Sequence, residues 1–202
     1  MRSELTNMGN HRVRAAEIQN AIMWNTLVEH KHPLLKTKME PFDFDNPPTD
    51  PEILFANMSQ MMLEKKGVGL SANQVGLPFN MFVLGDVPQI ENGLKMACFN
   101  PMIMSVGEEE VMMKEGCLTY PWIFLSIKRP RKCVGKYVDE NGVVKEATMD
   151  GMVSRIYQHE YEHTLGRVFL EKVSKLKLDM ARKRAVKAIN RAKRNADRRK
   201  TL

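Results

Sequence analysis

No stretch of this 202-residue chain approaches the roughly 20 consecutive apolar residues that a membrane-spanning helix needs. The N-terminus lacks the basic, apolar and small-residue order of a secretion signal. Arg2, Arg12 and Arg14 point toward an organellar transit peptide, whereas Glu4, Glu17 and a lone serine point away from one. The expected location is therefore cytoplasmic, with no membrane partner. Cysteine is scarce: Cys98, Cys117 and Cys133 are an odd number without C-x-x-C spacing. That argues against a disulfide framework and for a reducing compartment, in which at most one or two thiols have a special task. Nucleotide-binding signatures are missing too. The small-residue stretch from Gly67 to Pro78 has the wrong glycine spacing for a dinucleotide loop and no Lys-Ser/Thr for a phosphate loop. There is no internal repeat.

What remains is an ordinary globular composition, 43% hydrophobic and 27% charged, enough for one core with an appendage. The 16 methionines read as adaptable core filler. The net charge of +7 hides a division. Residues 172–202 carry 13 Lys/Arg against 2 Asp/Glu, and the other residues carry 18 against 22. A mildly acidic body thus bears a strongly basic tail, an asymmetry that speaks to partners. We divide the chain into a polar extension (1–22), a body (23–174) and a basic C-terminal helix (175–202).

A weak helical stretch is expected around 15–23. His30 and His32 have His-x-His spacing, but no third ligand lies nearby and Pro33 bars helix at His32, so a surface loop is expected. Asp50 caps a helix with Pro51 in its first turn. Ile53, Leu54, Met58, Met61 and Met62 form its apolar stripe, and Lys65-Lys66-Gly67 ends it. Strands are expected at 81–84, 94–100, 102–106, 123–128, 133–138 and 143–148, with Asn141-Gly142 turning the last hairpin. Residues 149–166 read as a helix with Met152, Val153, Ile156, Tyr157 and Tyr161 at apolar spacing. Short strands gathered before a late helix indicate an α+β fold rather than a βαβ repeat.

That late helix carries Gln158-His159-Glu160-Tyr161-Glu162-His163-Thr164-Leu165-Gly166. His159 and His163, four positions apart, project from one helical face. Two imidazoles so placed can share a divalent metal ion, and Glu160 can handle the proton of a water beside it. A catalytic ion normally has three protein ligands and one open position. Cys117 is the best third ligand. A glycine precedes it and a Pro-terminated turn follows, which suits a fixed ligand better than the settings of Cys98 and Cys133.

Three segments resemble, in order and spacing, the three signature motifs of peptide deformylases. They are Gly67-Val68-Gly69-Leu70-Ser71-Ala72-Asn73-Gln74, Glu115-Gly116-Cys117-Leu118-Thr119 and the His-Glu-x-x-His stretch. The resemblance covers roughly 24–174. It implies antiparallel β-sheets around a central helix bearing His-Glu-x-x-His. It also implies hydrolytic removal of the N-formyl group from the initiator methionine of nascent polypeptides, with release of formate. Cys117, His159 and His163 would then hold one divalent metal ion, Fe2+ first, with Zn2+, Ni2+ or Co2+ as substitutes that sequence does not rank. By the same resemblance Glu160 is the acid–base group, and the Gln74 amide and Leu118 backbone N–H are oxyanion donors. Val68, Gly69 and Gly116 would contact the substrate backbone, and Met152 and Ile156 would line the methionine pocket. Ser71, Glu162 and Thr164 depart from the usual alanine, aspartate and leucine, without removing a ligand, donor or base. Glu115 and Arg129 form either a steadying pair for the cysteine loop or a solvated one.

Two other readings compete. A zincin-like peptidase shares His-Glu-x-x-His but needs a third His or Glu downstream, where no histidine follows His163 and Glu171 is the nearby glutamate. A non-enzymatic RNA-binding protein would use the tail alone, leaving Glu160 and Gln74 without a purpose. The tail itself, with alanines at 181, 185, 188, 192 and 196, predicts a long helix with one small apolar face. Its cationic remainder exceeds what solubility requires, and the expected partner is the ribosome, through its RNA.

Overall fold

The computed structural model describes residues 26–85 and 93–200; the helix expected near 15–23 lies outside them. Among the described residues seven strands and three α-helices follow in order. The strands are β1 (Gly69–Ser71), β2 (Met81–Gly85), β3 (Lys95–Val106), β4 (Glu110–Cys117), β5 (Tyr120–Pro130), β6 (Lys132–Val138) and β7 (Val144–Asp150). The helices are α1 (Pro51–Glu64), α2 (Gly151–Thr164) and α3 (Lys175–Lys200). Among the described residues the named strands all pair antiparallel, giving a five-stranded sheet in the order β1-β2-β3-β6-β7 and a separate β4-β5 ribbon, while a single parallel bridge joins Glu40 to Phe79. The chain is thus a mixture of helix and antiparallel sheet, as expected.

Strand β2 explains why the large sheet lies between two helices. Successive side chains of a strand point to opposite faces. Met81 and Val83 join Leu54, Met58 and Met62 of α1 in one core, while Phe82 and Leu84 join Ile156 and Tyr157 of α2 in another. Tyr157 anchors α2 to the sheet: its ring meets Phe82 edge-on at 5.1 Å, and its hydroxyl donates to the Met102 carbonyl at 3.1 Å. A third core joins β5 to the start of α3 through Tyr120, Ile127, Phe169 and Ala181, with Cys117 at its edge.

Several local expectations hold. The Asp50 carboxylate caps α1 by accepting from the Glu52 and Ile53 N–H groups. The β6–β7 hairpin turns at Asp139 to Gly142, where Asp139 accepts from Asn141 and Val143. Others need correction. Ile53 is 53% exposed rather than part of the buried stripe. Helix α1 closes with Lys66, not Gly67, in the left-handed region. The two strands expected around Asn100-Pro101 form one strand, β3, with an irregularity between Phe99 and Met102. Proline has no N–H for the ladder, and Asn100 takes φ 49°. The Asn100 amide also accepts from the Phe42 N–H at 2.7 Å and donates to its carbonyl at 2.9 Å, so the break holds a loop rather than making a turn. Residues 110–117, where no strand was expected, form strand β4.

Helix α2 begins two residues later than expected, because Met149 and Asp150 complete β7 and Gly151 turns the chain at φ 57°. Its far end needs Gly166. There φ is 69°, and a Cβ would lie 2.7 Å from the Lys36 and Thr37 backbone. Substitution at this position would push apart the segment on which the helix closes.

Candidate active site

The second histidine-bearing turn of α2 is buried against β1 and β4. His159, Glu160 and His163 are 8%, 5% and 1% exposed. Cys117, at the end of β4, brings its thiol to 3.2 Å from His163 Nε2. One ligand atom from each of Cys117, His159 and His163 lies within 4.8 Å of the others. Soft thiolate and imidazole donors at that separation fit a four-coordinate first-row divalent ion with one position left open.

The local chemistry sets the two imidazoles apart. Glu115 Oε2 lies 3.0 Å from His159 Nδ1. A carboxylate only accepts, so Nδ1 carries the hydrogen and Nε2 faces the cluster. Burial works against a charged His159, but hydrogen bonding to Cys117 and Glu115 outweighs it and lifts the imidazole to about 10. His163 moves the other way: burial, then the charges of His159 and Arg129, push it well below its ordinary value. A metal ion therefore competes with a proton at His159 but not at His163.

Glu115 is the hub of a buried ionic cluster. Arg129 grips it with two bonds, Nε to Oε1 at 2.7 Å and Nη2 to Oε2 at 2.9 Å. Arg155 adds a third at 2.7 Å, and also donates to the Ile127 and Val111 carbonyls. Arg129 continues to Glu162 at 2.8 Å, and Lys172 meets the same Glu162 oxygen at 2.6 Å. Burial alone would raise the Glu115 carboxyl, but bonds from His159 and Arg129 hold it well below the usual carboxylate range. The alternatives left open for Glu115 and Arg129 resolve to the buried, steadying pair. Glu162, where aspartate is usual, has the reach to bridge Arg129 and Lys172. Arg155 was missed in the sequence, although it stands one turn before His159 on the same helical face.

A cavity of about 460 Å³ opens beside the cluster. Val68, Gly69, Gln74, Gly116, Cys117, Leu118, Met152, Ile156, His159 and Glu160 all line it, so the expected site residues converge there apart from His163, whose Nε2 lies 3.2 Å from Cys117 Sγ. Gly69 allows this convergence, since a Cβ on it would sit 2.6 Å from Glu160 Oε1 and 2.8 Å from Ile156. The Gln74 side-chain oxygen, Oε1, accepts from the Ser71 N–H at 2.9 Å, and its Nε2 donates to Thr119 Oγ1 at 3.0 Å and Cys117 Sγ at 3.3 Å. The Glu160 carboxyl is raised above its ordinary value, chiefly by burial. Trp122 and Phe124 complete one wall, 49% and 52% exposed, and Lys65, Lys66 and Lys114 stand at the same cavity. Nothing in the sequence placed these five at the site, and Lys65 and Lys66 marked only the end of a helix. His30 and His32 do not join the cluster; His32 Nδ1 instead accepts from the Leu34 N–H at 3.3 Å.

Comparison with known proteins agrees with this geometry. The sequence profile of the family described as Polypeptide deformylase matches residues 24–179. A peptide deformylase of Bartonella tribocorum is 32% identical over 157 residues, 77% of this chain and 87% of the relative. One from Bartonella quintana is 36% identical over 125 residues, 61% of this chain and 70% of the relative. The crystal structure of a peptide deformylase from Legionella pneumophila superposes with a TM-score of 0.72 at 27% identity, over 84% of this chain and 97% of that one. A peptide deformylase from Synechococcus elongatus, solved in complex with actinonin, gives 0.71 at 27% identity, over 77% and 84%. The chain belongs to the polypeptide deformylase family, metal-dependent enzymes that remove the formyl group from the N-terminal methionine of nascent peptides.

Proposed function

We propose that Cys117, His159 and His163 hold the single divalent ion of this deformylase, and that Glu160 is its acid–base group. The observation that carries this reading is the convergence of one thiol and two imidazoles beside a buried carboxylate, with Cys117, His159 and Glu160 lining one cavity. Fe2+ is our first assignment, with Zn2+, Ni2+ or Co2+ as substitutes compatible with the same donors. When bound, the ion polarises the formyl oxygen and lowers the pKa of a neighbouring water. Glu160 accepts the proton of the attacking water as the new C–O bond forms. The oxyanion is met by the Gln74 Nε2 and Leu118 N–H donors; Gln74 exchanges its bond to Thr119 to reach it. Glu160 then returns the proton to the amine nitrogen, the C–N bond breaks, and formate and a free N-terminus leave. Val68, Gly69 and Gly116 hold the peptide backbone, and Met152 and Ile156 receive the methionine side chain.

The basic helix α3 has a separate task in this proposal. Lys187, Asn190, Arg191, Arg194 and Asn195 form a shallow cationic groove suited to ribosomal RNA, which would keep the enzyme near emerging chains. The functional division thus falls at 174/175, although packing continues beyond it to Ala181 and Ala185. Three unpaired thiols suit a reducing, cytoplasmic setting, and no helix among the described residues is long and apolar enough to cross a membrane.

The test is formate release from formyl-Met-Ala-Ser by the metal-loaded protein. Glu160→Ala is expected to lower turnover by on the order of 10²–10⁴ with metal content unchanged, and Cys117→Ser to lose metal. Unchanged metal content in the Cys117 variant would refute the ligand set.

A further inference from the structure

The Glu160 carboxylate is buried, and among the described residues a single side chain donates a hydrogen bond to it. Ser71, itself wholly buried on β1, lies with Oγ 2.9 Å from Glu160 Oε2. The same hydroxyl is 3.0 Å from the Glu160 backbone carbonyl. Its one proton has two acceptors, and both belong to Glu160. The other carboxylate oxygen, Oε1, faces Gly69 and the cavity.

We propose that Ser71 is a positioning residue that tethers Glu160 Oε2 to β1 and so aims Oε1 at the reacting water. This rests on the reading of Glu160 as the acid–base group. A glutamate has three rotatable side-chain bonds, and a buried carboxylate with no fixed donor settles among several orientations. A hydrogen bond to an ionised group is stronger than a neutral one and fixes direction as well as distance. Strand β1 supplies this rigidity, since Ser71 is paired through the backbone to Phe82 of β2 and its N–H is held by Gln74. The tether is a property of this chain: an alanine at 71 has no hydroxyl to offer.

Substituting Ser71→Ala is expected to lower kcat roughly tenfold, a fraction of what positioned proton transfer is worth, while KM and metal content hold. The pair Ser71→Thr and Ser71→Val, equal in volume and different in the hydroxyl, separates tethering from packing. Threonine is expected to retain more than half of the kcat that valine loses. If the valine variant does not fold, the alanine variant carries the comparison. Crystal structures of the unsubstituted and alanine proteins give a readout independent of turnover, with the Glu160 carboxylate expected to rotate away from its present position. An unmoved carboxylate, or equal kcat in the threonine and valine variants, would overturn the tether. Absence of formate from the unsubstituted, metal-loaded protein together with a displaced carboxylate in Ser71→Ala would instead strike at the acid–base role and leave the tether standing.

Discussion

Arginine occupies opposite settings behind the ligand cluster and along α3. Arg129 and Arg155 are 2% and 4% exposed, and their forks meet Glu115, Glu162 or backbone carbonyls at 2.6–3.0 Å. Lys187, Arg191 and Arg194 stand exposed on a helix whose buried residues, Ala181 and Ala185, precede them. Buried charges are expensive to desolvate and persist only with good partners, so the inner set serves geometry: it fixes Glu115, which orients His159. The outer charges cost almost nothing to fold and stay in solvent. Position relative to solvent, more than residue type, separates charge that positions other groups from charge left on the surface in this enzyme.

The comparison breaks most readily at Arg129. Replacing Arg129 with Met removes one partner of Glu115 and one of Glu162, leaving Arg155 and His159 on the first and Lys172 on the second. It is expected to destabilise the fold by about 3–5 kcal/mol, the usual cost of breaking a buried ion pair by removing one member, read from urea denaturation. A loss below about 1 kcal/mol, the ceiling for exposed pairs, would mean that the inner cluster behaves like a surface one.

Acid gives a second test. Glu115 is held below its unfolded value of about 4.3 and is ionised in the folded protein. Its contribution to stability is therefore fully present above that pH and is lost as the pH falls through the folded value. Glu115→Gln is expected to be less stable at neutral pH and to show a shallower decline in stability below about pH 4.3. Parallel pH–stability curves for the two proteins would contradict this. A smaller effect is expected from Glu162→Asp. The shorter side chain keeps its charge but loses simultaneous reach to Arg129 and Lys172, costing about 1 kcal/mol with metal content unchanged.

How far the sequence disclosed this architecture depends on the range of the interactions involved. The His159–His163 spacing, the Asp50 cap and the Asn141-Gly142 hairpin are local, and each was legible because its chemistry lies within a few residues. The proposed third ligand, Cys117, is 42 positions upstream of His159, and it stood out through the glycine and the Pro-terminated turn around it and through the resemblance of Glu115–Thr119 to a family motif. The ionic cluster was mostly hidden. Glu115, Arg129, Arg155 and Glu162 come from β4, β5 and α2, and nothing in their spacing shows that three elements deliver them to one point. The Ser71 contact was equally hidden, since a serine for alanine in a small-residue stretch looks neutral until β1 is laid against α2. Strand β3 was split in two because Asn-Pro reads as a turn, whereas the sheet tolerates the missing N–H at an irregularity.

The smallest effect on folding is expected at α3, and there the comparison is sharpest. Cutting the chain after Ser174 would remove Leu178 and Ala181 from the core that includes Tyr120 and Phe169 and borders Cys117, confusing loss of charge with loss of support for a ligand. Replacing Lys187, Arg191 and Arg194 together by Ala avoids this, since all three are exposed and lie beyond the packed turns. Stability is expected to change by no more than about 0.5 kcal/mol, and formate release from a short formyl-peptide to stay as it was. Binding to ribosomal RNA is expected to weaken uniformly. The slope of log affinity against log salt should fall by roughly 2, because each cation displaced from a phosphate contributes about 0.7. An unchanged slope would remove α3 from any role in RNA binding. A loss of formate release would show that its charge reaches the site after all, and the division between inner and outer arginines would fail.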